Sequence, residues 1–265
     1  MIKKISSVQN PFVKELVQLK EKSKLRKQTG KFIIEGRREI SLAIKGSYKL
    51  ETIYYCEGLF SANEVTALYP YGIDIIEISK LVYEKVAHRD TTEGVIAVAQ
   101  ANKLSLNNLK IASKNPLILV VESPEKPGNI GALLRTADAA NMDAVIIANP
   151  LTDMYNPNII RSSVGGVFTV PIATATTDEI IEYLNSNNIA IHSAILQESV
   201  AYDSIDFSKP SAIIIGAEST GLSEKWRKIS TTKIQIPMQG KLDSMNLSVA
   251  AGIIIFEAKR QRKFV

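Results

Sequence analysis

The chain has 265 residues, which is enough for one large domain or two smaller ones that each bury a core. With 45% hydrophobic and 22% charged residues its composition is that of a globular protein, and no apolar run reaches the ~18 residues of a membrane span. The N-terminus carries lysines without an apolar signal core, Cys56 is the single cysteine, and the two histidines are far apart. We therefore expect a cytoplasmic protein of two domains, without a disulfide or a structural metal.

The positive charge is concentrated near the N-terminus. Residues 1–50 contain thirteen Lys or Arg against four Glu and carry +9, which leaves −4 for the rest of a chain whose net charge is +5. Lysines and arginines that neutralise phosphates gain affinity by releasing counterions, so this asymmetry predicts a polyanionic partner. The run KEKSKLRKQTGK could equally be a solvated helix end and turn, and the sequence alone leaves that alternative open.

The first hundred residues alternate between short helices and strands. Apolar residues at helical spacing predict a helix over residues 12–22, and another helix is predicted over 37–44. The segments KFIIEG, ETIYYCE, IDIIEIS and EGVIAVA predict short strands, so this part is a small α/β domain. The polar, Asn-rich segment QANKLSLNNLKIASKN then marks a boundary. We therefore predict a first domain over residues 1–103, a linker over 104–115 and a second domain over 116–265.

The second half alternates in the same way, with longer apolar runs. Continuous β-branched stretches such as AIIIG indicate strands buried on both faces of a parallel sheet, where ligands bind at the carboxyl ends of the strands. The last helix is apolar nearly all round over residues 249–256, so we expect it to be buried, with Asp243 or Ser244 as its cap. Strands are predicted at residues 117–122, 144–148, 168–171, 189–195, 212–215 and 233–236. Helices are predicted from near Ile130, Asn156, Asp178 and Ser223, and over residues 246–262.

One loop after a predicted strand has the glycine spacing of a phosphate-binding loop. In IIIGAESTGLSEKW, four residues separate Gly216 from Gly221, but Leu222 stands where the lysine of such a loop is required. Glu218 adds a carboxylate that would repel phosphate. The loop therefore favours a ligand that is neutral or cationic.

Two further segments carry polar residues in apolar surroundings. PGNIGALLRTADA lacks the Gly-x-Gly-x-x-Gly pattern of dinucleotide-binding proteins, and its Asn129 could be a helix cap. Arg135 either pairs with Asp138 or points a fixed positive charge into a cleft. In IPMQGKLDSMNLSVAAGIIIF, Ser244 and Asn246 could be capping residues alone. Neither a Ser-His-Asp set nor a carboxylate pair stands out, so hydrolytic chemistry has little support.

Taken together, these three segments resemble the SpoU-type branch of the SPOUT methyltransferases. PGNIGALLRTADA is similar to the family's first motif, IIIGAESTGLS to its second and IPMQGKLDSMNLSVAAGIIIFEAKRQR to its third, which is long and highly specific. RSSVGGVFTVPI matches the stretch between the first two motifs. SSVQNPFVKELVQLK with GKFIIEGRREI is similar to the RNA-binding extension of the rRNA-modifying members, so the resemblance covers nearly the whole chain.

The resemblance implies a fold, a cofactor and a set of site residues. It implies an α/β fold whose C-terminal parallel-sheet domain contains a trefoil knot, a smaller N-terminal α/β domain like certain ribosomal proteins, and a homodimer with sites at the subunit interface. It implies transfer of a methyl group from S-adenosylmethionine, a sulfonium without phosphate, to a ribose 2′-hydroxyl of RNA. The implied catalytic residues are Arg135, Asn129, Glu218, Ser244 and Asn246; the cofactor-binding residues are Gly216, Ala217, Gly221, Ile236, Met238, Met245 and Leu247. The basic candidates for RNA contact are Lys24, Arg26, Lys27, Arg37 and Arg38.

Two departures from the family pattern and several alternatives accompany this interpretation. Asn141 stands where a glycine is usual and Met245 where a leucine is usual, but Asn tolerates a left-handed backbone and Met fills a volume similar to Leu. The basic N-terminal part favours large-subunit rRNA as the substrate, with tRNA as the alternative. The rival functions are a non-catalytic rRNA-binding assembly factor and a nucleotide-dependent enzyme.

Overall fold

The structure is a computed structural model that describes residues 3–69, 72–88, 93–241 and 244–264. Its contacts divide the chain into two compact units. The first unit comprises residues 1–102 together with 153–169, and the second comprises 103–152 and 170–265. The first unit therefore includes a segment that the predicted domain ranges assign to the second half of the chain.

The strands and helices follow the chain in an alternating order. The strands are β1 Lys3–Ile5, β2 Lys31–Glu35, β3 Leu50–Tyr55, β4 Asp74–Ile78, β5 Val95–Gln100, β6 Leu117–Glu122, β7 Ala144–Ala148, β8 Ile172–Ala175, β9 Ala190–Ala194, β10 Val200–Ala201, β11 Ser211–Ile215 and β12 Thr232–Gln235. The helices are α1 Pro11–Glu21, α2 Ser23–Thr29, α3 Arg37–Lys45, α4 Ala62–Leu68, α5 Lys80–Val86, α6 Pro127–Ala139, α7 Pro157–Ser162, α8 Gly166–Thr169, α9 Thr177–Ser186, α10 Glu224–Ile229 and α11 Leu247–Gln261.

The first unit is built on a five-stranded mixed sheet in the order β1-β4-β3-β5-β2. Strand β4 is parallel to β1 and β3, whereas β5 is antiparallel to β3 and β2. The four strands and two helices predicted for this part are confirmed. The basic run forms helix α2, which ends where Gly30 adopts a left-handed backbone with a φ of 65°.

Four aromatic side chains bind the segment 153–169 into the core of the first unit. Phe32, Tyr48, Tyr155 and Phe168 are buried, and the rings of Phe32 and Tyr155 are stacked with centroids 4.3 Å apart. The ring of Phe168 meets that of Tyr48 edge-on at 5.1 Å. Because such aromatic pairs add to the free energy gained by burial, the segment is part of this core and not a surface loop.

A buried ion pair also holds this segment. The Arg26 guanidinium donates two hydrogen bonds to the Asp153 carboxylate, at 3.0 and 2.8 Å, and both side chains are buried. Nη1 of Arg26 donates to the carbonyl oxygens of Leu19 and Lys20 at 2.6 and 3.0 Å. Desolvation raises the pKa of Asp153, but hydrogen bonds from Arg26 and Ser23 outweigh it and keep that pKa below its ordinary value.

The strand predicted at residues 168–171 is wrong. Residues 166–169 form helix α8, and the strand begins at Ile172. The apolar run that suggested a strand places Phe168 in the aromatic cluster instead, since a short apolar run does not distinguish a buried helix from a strand.

The second unit contains a seven-stranded sheet in the order β10-β12-β9-β11-β6-β7-β8, and all its pairs are parallel. Strands β6, β7 and β11 are buried along their whole length, as their β-branched sequences predict. The parallel α/β fold is thus confirmed, while the knot stays a prediction. In a parallel sheet the loops after β6, β11 and β12 leave from the same edge, so the three motifs meet there.

The sequence predicts that helix α11 is buried, and for one of its faces this prediction is wrong. Its buried side includes Leu247, Ala251 and Ile255, but Val249 and Phe256 are 54% and 43% exposed. These two residues are seven positions apart and therefore share one face of the helix. An apolar face on this helix is left uncovered within the described residues.

Residue types that could hold a metal do not cluster in the described part of the chain. Within the same residues, no helix combines the length and the apolar character needed to cross a membrane. His192 is buried on β9, and burial lowers its pKa to about 4. It is therefore a neutral core side chain at neutral pH.

Candidate active site

A cavity of about 240 Å³ opens at the carboxyl ends of β9, β11 and β12. Its lining is mostly apolar, which is typical of a site for a small organic ligand. Two of the five catalytic candidates, Glu218 and Ser244, also line it. All the residues predicted to bind the cofactor lie in this wall: Gly216, Ala217, Gly221, Ile236, Met238, Met245 and Leu247.

The loop between Gly216 and Gly221 forms one side of the cavity and is closed on itself. The backbone N–H of Gly221 donates to the carbonyl oxygen of Ala217 at 2.9 Å, and Gly221 has a φ of 64°. A Cβ on Gly216 would overlap the backbone of Gly221 and Leu222, well inside van der Waals contact. Gly216 is thus a glycine because two backbone segments touch there.

Substitution of Gly216 by Ala is expected to weaken binding of S-adenosylhomocysteine by at least about tenfold, because the new methyl group must push the far side of the loop away. Isothermal titration calorimetry of the folded variant measures the Kd for S-adenosylhomocysteine. Gly128→Ala is the matched control, since a Cβ at Gly128 meets open space, and it should bind within about twofold of the natural protein. Equal affinities of the two variants would contradict the assignment of the loop.

Side chains from the three motifs are joined by hydrogen bonds beside the cavity. Nδ2 of Asn129 on α6 donates to Oε1 of Glu218 in the loop after β11. Nδ2 of Asn246 in turn donates to Oδ1 of Asn129 at 3.4 Å. Asn129 therefore does not cap α6, whose N-cap position is held by Lys126, and its amide joins the first motif to the other two.

Asn246, and not Ser244, is the cap of α11. Its Oδ1 accepts a hydrogen bond from the backbone N–H of Ser248 at 2.9 Å. Ser244 instead lines the cavity, and Asp243 lies outside the described residues. The helix cap and the hydrogen-bonded set thus share one asparagine, so the cap also fixes where Asn246 presents its amide.

Arg135 is exposed on α6 and is not part of the cavity wall. Within the described residues its guanidinium forms neither an ion pair nor a side-chain hydrogen bond, so the pairing with Asp138 that the sequence left open is absent. A Cβ added to Gly252 of α11 would lie 3.8 Å from Cγ2 of the next residue, Thr136, so α6 and α11 approach each other closely there. Among the described residues, Arg135 thus offers an unpaired cation on the helix that also carries Asn129.

Some residues at this site were missed by sequence reasoning. Ala194, Ile195 and Leu196 line the cavity where β9 ends. Their position directly after a parallel strand was the available signal. Asn141, in contrast, was understood correctly, since it has a φ of 47° in the left-handed region.

Comparisons with known proteins agree with this geometry. The SpoU rRNA Methylase family matches residues 116–256, and the MRM3-like substrate binding domain matches residues 10–97. An AdoMet-bound rRNA methyltransferase from Sinorhizobium meliloti superposes with a TM-score of 0.89 at 30% identity, covering 98% of each chain. The chain belongs to the SpoU rRNA methylase family. Like other SpoU methylases, it is a methyltransferase that uses S-adenosylmethionine.

Two curated relatives of this SpoU methylase are also rRNA enzymes. The 23S rRNA (guanosine(2553)-2'-O)-methyltransferase RlmP of Bacillus subtilis is 26% identical over 97% of this chain and 100% of its own length. The 23S rRNA (guanosine-2'-O-)-methyltransferase RlmB of Ralstonia nicotianae is 34% identical over 73% of this chain and 80% of its own.

The SpoU methylase exposes most of the basic side chains predicted to contact RNA. Lys24, Lys27, Arg37 and Arg38 are exposed in the first unit. For Arg26 the prediction is wrong, because the residue is only 5% exposed and its guanidinium is paired with Asp153, which leaves it inaccessible to a phosphate. The exposed four remain candidates for phosphate contact.

Proposed function

We propose that this protein transfers a methyl group from S-adenosylmethionine to a ribose 2′-hydroxyl of large-subunit rRNA in the cytoplasm. The observation that carries the proposal is the meeting of the three motifs, where Asn129, Glu218 and Asn246 are hydrogen-bonded beside a mostly apolar cavity. The rRNA substrates in the names of the relatives support the choice of RNA.

The residues of the cavity fit the cofactor. A loop in which Gly216 leaves no room for a side chain brings backbone N–H and C=O groups to the ligand. Among the described residues, Glu218 lines the cavity and no lysine does, so the wall suits a cation better than a phosphate. S-adenosylmethionine supplies a methyl group on a cationic sulfonium, and the chain has only to hold it.

The catalytic residues bind and orient the ribose. Methyl transfer is an in-line displacement, so its main demand is the position of the 2′-hydroxyl. Arg135 is a fixed cation that stabilises the developing alkoxide and binds a neighbouring phosphate, since a guanidinium is in general a poor base at neutral pH. Four further residues hold the ribose and the cofactor in the relative position that methyl transfer requires: Asn129, Glu218, Ser244 and Asn246.

The test is methyl transfer from labelled S-adenosylmethionine into unmodified 23S rRNA and unmodified tRNA, followed by nucleoside analysis. We expect a 2′-O-methylated nucleoside from 23S rRNA. If only tRNA is labelled, tRNA is the substrate and the proposed rRNA substrate is wrong. If neither RNA is labelled but the protein still binds S-adenosylhomocysteine, the non-catalytic assembly factor is favoured. Stabilisation against heat by ATP or NAD, but not by S-adenosylhomocysteine, would favour the nucleotide-dependent enzyme.

The exposed apolar face of α11 supports a homodimer. Val249 and Phe256 are large apolar side chains left open to solvent on one helix face, as at a surface that a second copy covers. We expect light scattering to give the mass of two chains, and Phe256→Asp to give mostly one. Leu81→Asp, at an exposed leucine of the first unit, is the control and should leave the mass unchanged. A natural protein of monomer mass would contradict the dimer.

A further inference from the structure

Glu122 is a buried carboxylate at the carboxyl end of β6, the strand next to β11 in the sheet. It is 5% exposed and accepts three hydrogen bonds: from Oγ1 of Thr177 at 2.7 Å, and from the backbone N–H and Oγ of Ser223 at 2.8 and 2.9 Å. A buried carboxylate is costly unless donors surround it. The three donors come from two segments of the chain, so the Glu122 carboxylate fixes the positions of both segments.

One of these segments is the end of the loop 216–221. Ser223 follows Gly221 by two residues and occupies the N-cap position of α10, but its side chain makes no capping bond to its own helix. Both its N–H and its hydroxyl are directed to Glu122 instead. Leu222, which lies between Gly221 and Ser223 in the chain, is buried. The loop therefore runs between two fixed points, strand β11 at its start and the Glu122 carboxylate at its end.

The other segment belongs to the scaffold. Thr177 is the first residue of α9, and its Oγ1, which donates to Glu122, also accepts from Nδ2 of Asn149 at 2.9 Å. Asn149 follows β7 and has a φ of 48°. Glu122 is thus held on one side by residues remote from the cavity and holds the cofactor loop on the other.

We infer that Glu122 is a positioning residue for S-adenosylmethionine, acting through Ser223 on the loop 216–221 without lining the cavity itself. The inference rests on the proposed function, because it requires this loop to bind the cofactor. Charge-assisted hydrogen bonds are among the stronger ones in proteins, so loss of the carboxylate charge should loosen the end of the loop. Gly216 lets the two ends of the loop touch, and Glu122 keeps them in that place.

Two hydroxyl deletions at the same carboxylate oxygen provide a matched test. Ser223→Ala and Thr177→Val each remove one hydroxyl donor to Oε1 of Glu122, but only Ser223 is attached to the loop. Calorimetry of S-adenosylhomocysteine binding should show a Kd raised about fivefold or more by Ser223→Ala and about tenfold or more by Glu122→Gln. Thr177→Val should bind S-adenosylhomocysteine with a Kd within about twofold of that of the natural protein. Its Tm without ligand should nevertheless fall, as that of Ser223→Ala does.

A kinetic measurement adds a readout that a merely structural role would not move. For Ser223→Ala we expect a raised KM for S-adenosylmethionine and an unchanged KM for RNA. Equal effects of Ser223→Ala and Thr177→Val on the Kd, or an unchanged Kd in Ser223→Ala, would overturn the inference even if Glu122→Gln does not fold. A natural protein that fails to bind S-adenosylhomocysteine would contradict the proposed function instead.

Discussion

Replacement of Arg135 by Ala is expected to lower the rate of methyl transfer by about a thousandfold while the Kd for S-adenosylhomocysteine stays the same. The guanidinium is exposed, is free of ion pairs within the described residues and does not line the cavity, so its removal takes a cation from the reaction and nothing from the cofactor site. Loss of one group that stabilises a developing oxyanion commonly costs about a hundred- to a thousandfold. Single-turnover methylation of 23S rRNA, beside calorimetry, measures both quantities.

Asp138→Asn is the matched control for this prediction. Asp138 lies one turn further along α6, and it is the residue whose pairing would give Arg135 a purely structural role. Activity of Asp138→Asn should remain within a few fold of that of the natural protein. If Arg135→Ala lost cofactor binding together with activity, or if Asp138→Asn were equally inactive, Arg135 would be structural and the proposed mechanism would be wrong.

The second large effect is expected from Asp153→Ala. Without its carboxylate the buried Arg26 guanidinium has no anion, and breaking a buried pair from one side typically costs about 3–5 kcal/mol. Hydrogen exchange read by mass spectrometry can localise the loss. We expect faster exchange in peptides from residues 1–102 and 153–169 and unchanged exchange in peptides from β6, β7 and β11.

Lys4→Ala provides the comparison in the same unit, since Lys4 is an exposed partner of Glu77 and the pair should contribute little. The sign of the pH effect follows from the lowered pKa of Asp153. Folding favours the ionised form, so the stabilisation is complete above its ordinary pKa of 3.8 and is lost as the pH falls below it. Exchange that accelerates equally in both units on Asp153→Ala would contradict a local role.

The convergence of the three motifs could be predicted from the sequence because its physical cause is simple. Asn129 and Glu218 follow the largely apolar strands β6 and β11, Asn246 follows β12, and the carboxyl ends of parallel strands lie at one edge. The resemblance to a family supplied what spacing could not, namely the ligand. Each residue that the resemblance predicted to bind the cofactor lines the cavity, while its contact with the cofactor stays a prediction.

The failures also have identifiable causes. Arg26 was taken for a surface cation because its partner, Asp153, lies 127 residues further along the chain. Glu122 ends an apolar strand, but its hydrogen-bond donors lie far along the chain, at the starts of two helices. The sequence around Glu122 therefore does not predict them. The face of α11 with Val249 was predicted to be core, because apolar composition alone does not show which side of a helix packs against its own chain.

The two-part composition of the first unit has a consequence for how the protein is made. On the ribosome the chain emerges from its N-terminus, and units normally fold as their residues appear. This unit is complete only when residue 169 has been synthesised, by which time the strands β6 and β7 of the other unit already exist. Until residues 153–155 have been made, the Arg26 guanidinium lacks the Asp153 carboxylate and the Phe32 ring lacks Tyr155. The nascent chain therefore leaves these two contacts unmade for about fifty further residues after residue 102.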